Sequence, residues 1–245
     1  MILRQYLHTD PVALSYLFGC GGKATGAVVD PLGDPDMYLR DAQDIEMRIR
    51  YVVDTHIHAD HLSVGRQLAR AAGAEYVLFA EALAAAPNFR GVRNRDVLEL
   101  GNVTAEVIHT PGHTPEHISL LVTDRTRSQE PWFAFTGHTL MVGDVGRTEL
   151  AATAEEGARV LFQSLSQLKQ LPDYLEVLPG AFSGSVCGRT LSGKPFSTIG
   201  FERRNNAAFR IEDEDAFVRA MLEDIPPPPP EAAKLRAVNA GPATV

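Results

Sequence analysis

Short apolar runs recur along the chain at Ala27–Val29, Tyr51–Val53, Val103–Ile108, Ile118–Val122, Trp132–Phe135 and Tyr174–Leu178. Their length and their polar surroundings suit buried strands. Helical spacing fills other stretches: one from Pro35 with Asp34 as its cap, one over Leu62–Ala72, and one over Ala154–Leu171, opened by Thr153 and Glu156 at capping-box spacing. A final helix is predicted from Asp213 to Leu222. Strand runs outnumber what strict alternation with helices would give, so the pattern predicts an α/β chain whose sheets form a sandwich with helices packed outside. The run Pro226–Pro230 predicts a stiff polyproline II joint. The expected division is one domain over 1–225 and a proline-rich tail over 226–245 that follows the surface.

Composition narrows the class of partner. Apolar residues make up 44% of the chain and charged residues 22%, enough for a sizeable core. A net charge of −8 gives no electrostatic reason to bind nucleic acid or an anionic membrane, which leaves a small molecule. No apolar run approaches membrane-spanning length, and the start lacks a basic segment leading into an apolar one, so a cytoplasmic location is the expectation. Cys20 and Cys187 are too few for a disulfide framework. Cys187 is expected in a tight structural turn, and Gly19–Lys23 lacks P-loop spacing and is expected to be a hairpin turn.

The chemistry concentrates in Thr55-His56-Ile57-His58-Ala59-Asp60-His61, directly after the run Tyr51–Val53. Imidazole nitrogen and carboxylate oxygen are the usual ligands of zinc and iron, and alternate residues of an extended segment can point the same way. Two further histidines end apolar runs: His113, in the rigid turn Thr110–Pro115, and His138, after Gly137. Ligands must converge in space rather than in sequence, and three strand-end histidine elements allow that. His56, His58, His113 and His138 are therefore the candidate ligands; whether His58 ligates or stands just outside stays open. His8, His109 and His117 are read as support or surface residues.

HxHxDH followed by TPGHTP, Phe135-Thr136-Gly137-His138, Gly146-Arg147-Thr148, Gly184–Gly188 and Ser197–Arg204 resembles the metallo-β-lactamase superfamily and, within it, the persulfide dioxygenases, which are relatives of glyoxalase II. The resemblance covers nearly the whole chain and implies an αββα sandwich, one Fe(II), and oxidation of glutathione persulfide or a similar thiol persulfide by O2 to sulfite and thiol. It also implies a homodimer. The family's two-His, one-Asp ligand set maps to His56, His113 and the position of His138. The second-metal positions of the dinuclear hydrolases map to Asp60 and His61, with a final His near Ala181. Asp60 and His61 are then expected to serve catalysis by orienting ligands or bound water, and Arg147 either to meet a glutathione carboxylate or to form a structural ion pair.

Two positions depart from the family: His138 replaces the Asp, and Ala181 stands where the last His is expected. In dinuclear members of the family the Asp bridges both metals and the last His completes the second site, so a two-metal centre loses two supports and a mononuclear site is the expectation. The alternatives are a zinc-dependent thioester hydrolase like glyoxalase II, a divergent member acting on another sulfur compound, and a degenerate binding module.

Overall fold

A computed structural model describes all residues except 83–87, 151–152, 224, 226, 230 and 242–245. Two six-stranded sheets stack face to face. The first contains β1 (Ile2–Thr9), β2 (Val12–Cys20), β3 (Thr25–Val29), β4 (Arg48–Val53), β5 (Glu75–Phe79) and β6 (Arg90–Val92) in sequential order. The chain then forms β7 (Val97–Leu100), β8 (Val103–His109), β9 (Ile118–Asp124) and β10 (Phe133–Gly137), and a two-stranded ribbon of β11 (Leu140–Met141) and β12 (Asp144–Val145). With β13 (Glu176–Pro179) and β14 (Ser197–Thr198) the second sheet runs β14-β13-β10-β9-β8-β7.

Alternation explains the layers, because successive side chains of a strand face opposite sides of its sheet. Tyr16, Phe18, Tyr51 and Val53 of the first sheet meet Ala105, Leu120, Phe133 and Phe135 of the second, forming the inner core. Leu17, Val28, Val52 and Leu78 point outward onto α1 (Pro35–Asp44) and α2 (Gly65–Ala72). On the far side Ile108, Leu121, Ala134 and Val177 face α3 (Ala154–Leu168), α4 (Ile199–Asn205) and α5 (Glu214–Leu222). The αββα sandwich is therefore the observed fold.

The predicted strands are all present, and Asp34, Thr153 and Asp213 cap their helices through side-chain oxygens. Three differences have physical causes. Helix α2 begins at Gly65 rather than Leu62, because Ser63 bridges to Leu32 and its hydroxyl is committed to Asp54. Helix α3 ends at Leu168, beyond which the N–H groups of Gln170 and Leu171 bond only three residues back, to Gln167 and Leu168, in a tightened turn before Pro172. In the tail, α6 (Ala232–Ala240) forms beyond the prolines and docks on the loop after β4. Pro226 and Pro230, the ends of the predicted polyproline segment, lie outside the described residues. No helix among the described residues is long and apolar enough to cross a membrane.

Candidate metal centre

All the histidine elements leave strand ends at one rim of the sandwich: His56 follows β4, His113 follows β8 and His138 follows β10. One ring nitrogen from each of these three lies within 4.8 Å of the others, and all three side chains are buried. Local chain geometry makes the convergence possible. Gly137 has φ +48°, and a Cβ there would lie 2.5 Å from His117 Nε2. Gly112 has φ +134° and turns the chain against Leu161 of α3 immediately before His113.

Hydrogen bonds fix which nitrogens are available. Thr55 Oγ1 donates to Asp30 Oδ2 and so accepts from His56 Nδ1–H at 2.9 Å, leaving His56 Nε2 with a lone pair. His113 Nδ1–H donates to the Arg147 carbonyl at 2.8 Å, leaving His113 Nε2 free and 3.2 Å from His138 Nδ1. His138 is held through its backbone, whose N–H donates to His117 Nε2 at 3.0 Å. His117 Nδ1 is therefore the protonated nitrogen and faces the hydroxyls of Thr110 and Thr139. Oriented, neutral imidazoles backed by such partners are what a divalent cation requires.

Burial pulls all three ligand candidates toward the neutral form, with neighbouring histidines adding to the effect at His56 and His113. His113 is pushed down to about 3. Several buried atoms have no hydrogen-bond partner: His56 Nε2, His138 Nε2, His58 Nδ1, both His61 nitrogens and Asp60 Oδ1. Unpaired buried polar atoms are costly unless an ion or water meets them, so the residues present fit a metal.

The remaining candidates occupy neighbouring positions. His58 Nε2 sits 3.2 Å from Asp30 Oδ1 and belongs to a cluster with Asp30 and Asp54, apart from the three-histidine set. Burial lowers its pKa, but Asp30, Asp60 and Asp54 outweigh burial and raise it well above the ordinary value. Asp60 and His61 form a group with His58, and His61 Nδ1 is 3.1 Å from Asp60 Oδ1 without hydrogen-bond alignment. Asp60 opposes burial through His61 and His58 and stays ionised. The Arg147 guanidinium is buried against Glu149 and donates to the Val186 carbonyl. Ala181, where the resemblance places a last histidine, is buried and supplies no ligand atom.

One group escaped the sequence reading. Cys187 is buried with its sulfur within 4.8 Å of ligand atoms of Asp60 and His138, and burial followed by Asp60 raises its pKa, so it is a thiol. Spacing gave no sign of this, because 49 or more residues separate it from both. His117, read as support or surface, is a fully buried support that stacks on His56 with ring centroids 4.9 Å apart.

The buried neutral histidines carry a pH signature. Unfolded histidines take up protons below about pH 6.5, whereas folded His113 resists down to about 3. The unfolded state thus binds more protons across that window, and stability falls on acidification by about 1.4 kcal/mol per pH unit for each such histidine. His58, with its raised pKa, contributes the opposite slope above pH 6.5. Urea unfolding of metal-free protein should therefore show a midpoint that drops steeply between pH 6.5 and 4.5. A flat profile there would mean these histidines are not buried neutral.

This fold with histidine elements at the sandwich rim defines a metallo-β-lactamase-type metal centre. Residues 8–180 match the metallo-β-lactamase superfamily, and the chain belongs to it. It is 27% identical over 228 residues to the mitochondrial persulfide dioxygenase ETHE1 of Homo sapiens, covering 90% of this chain and 80% of that one. It is also 27% identical over 192 residues to the hydroxyacylglutathione hydrolase GloC of Haemophilus influenzae, covering 69% and 86%. A metallo-β-lactamase from Staphylococcus aureus superposes with TM-score 0.92 at 34% identity, over 98% of this chain and 72% of that one. ETHE1 from Myxococcus xanthus superposes with TM-score 0.82 at 27% identity, over 98% and 100%.

Proposed function

We propose that this chain is a mononuclear non-haem iron persulfide dioxygenase, acting on glutathione persulfide or a similar small persulfide. The observation that carries the reading is the donor set: three buried, oriented imidazoles converge, while the position of the last hydrolase histidine is filled by Ala181. The resemblance to ETHE1 runs through 90% of the chain, against 69% for the hydrolase relative. The overall reaction balances as RSSH + O2 + H2O giving RSH, sulfite and two protons. Fe(II) held by His56, His113 and His138 would supply redox chemistry and an attachment point for O2 and the anionic sulfur.

The chain's own residues do the rest. Thr55, the Arg147 carbonyl and His117 hold the three ligands in place, which keeps reactants in a fixed geometry. Ionised Asp60, whose carboxylate lies near His138, would set a negative charge beside the centre. The ligand imidazoles are themselves buried, which would limit water around a reacting sulfur.

The discriminating experiment supplies iron-loaded protein with glutathione persulfide and, separately, with S-lactoylglutathione. Sulfite should form in air and not under nitrogen. Thioester hydrolysis without oxygen consumption, restored best by zinc, would instead establish the glyoxalase II-like reading that the hydroxyacylglutathione hydrolase relatives favour.

A further inference from the structure

Helix α6 lies some 180 positions after the histidine loop, yet it docks on that loop's backbone. Hydrophobic burial contributes little to the docking, because α6 fully buries only Ala232 and Asn239, sets Ala240 partly buried against the outer core and leaves Val238 exposed. Its ties are polar and specific. Asn239 Nδ2 donates to the carbonyls of His58 at 2.9 Å and His61 at 2.7 Å, while its Oδ1 accepts from Ser63 N–H at 3.0 Å. Arg236 donates to the Ile57 carbonyl at 2.8 Å and to both oxygens of buried Glu116, and Glu116 Oε1 accepts from Ile57 N–H. Five backbone groups of the segment 57–63 are thereby fixed between the side chains of His56, His58, Asp60 and His61.

We propose that Asn239 and Arg236 make α6 a positioning strap for the histidine loop, so that docking of the C-terminal helix and cation binding at His56, His113 and His138 favour each other. The physical basis is that the loop carbonyls are buried and need donors, and these donors come from α6 rather than from water. A loop whose backbone is already fixed loses less freedom when its side chains take a cation. The coupling must be reciprocal: whatever α6 adds to cation affinity, the cation adds to α6 docking.

The test uses the full chain and Co2+ as probe, so it is independent of the persulfide reading. Asn239→Asp keeps the shape and the acceptor for Ser63 but removes both donors. The Co2+ dissociation constant, measured by chelator competition, should rise roughly ten- to a hundredfold, the usual effect of losing a supporting partner. Val218→Ala, a buried site on α5 in the outer core beyond the second sheet, serves as control: it should lower the melting temperature and leave Co2+ affinity unchanged. A second readout needs no variant. Amide exchange in α6 of the wild type should slow when Co2+ is bound. Wild-type affinity in Asn239→Asp, or α6 exchange indifferent to Co2+, would overturn the proposal.

Discussion

His138→Ala is expected to abolish useful cation binding, with a loss larger than the roughly 10–100-fold that follows removal of a merely supporting residue. His56 and His113 each present one oriented Nε2, and His138 supplies the third ring within 4.8 Å. Two imidazoles in a buried pocket leave a divalent cation short of ligands, and Ala181 offers none. His138→Asp should behave differently. A carboxylate restores a third ligand and lowers the net charge of a divalent site from +2 to +1, so the cation should be retained while an iron centre becomes easier to oxidise. Chelator competition checks the first variant and redox titration the second; full cation affinity in His138→Ala would remove His138 from the ligand set.

Gly112→Ala should destabilise the fold by about 3 kcal/mol or more, which lowers the melting temperature of a chain this size by roughly 6–12 °C. Two effects add. The φ of +134° is one that side chains rarely adopt, and the new Cβ would lie 2.5 Å from Leu161 Cα on the backbone of α3, which cannot swing aside. His113 follows directly, so any relief of the clash displaces a ligand. Gly33→Ala is the comparison, because its φ is +79° but nothing lies within 4 Å; it should show the conformational cost alone. Equal melting temperatures for the two variants would show that the packing of α3 against the turn contributes nothing.

The sequence made the ligand elements legible because each histidine ends an apolar run, and strand ends meet at one rim in a sandwich. Within the dense cluster it was less informative. Alternation allowed His58 to face with His56, but the loop is not an extended strand, and His58 turns to Asp30, whose buried carboxylate lies 28 positions earlier. At Arg147 the ion pair weighed from sequence is made with Glu149 two positions on, while the contact of its backbone carbonyl with His113 had no sequence signal. Strands β1, β2, β5, β6 and β7 and helix α4 went unread, β2 because nearly all its residues are buried on both faces and no alternation marks it. Helix α6 left no apolar signature, since an asparagine and an arginine dock it.

The central claim is that a single cation sits among His56, His113 and His138 and not in the adjoining group of His58, Asp60 and His61. An anomalous difference map at the iron absorption edge, from crystals of iron-loaded protein, tests it directly. The account predicts one strong peak per chain within bonding distance of those three imidazoles. A peak held by His58, Asp60 and His61, or two peaks of comparable height, would contradict it.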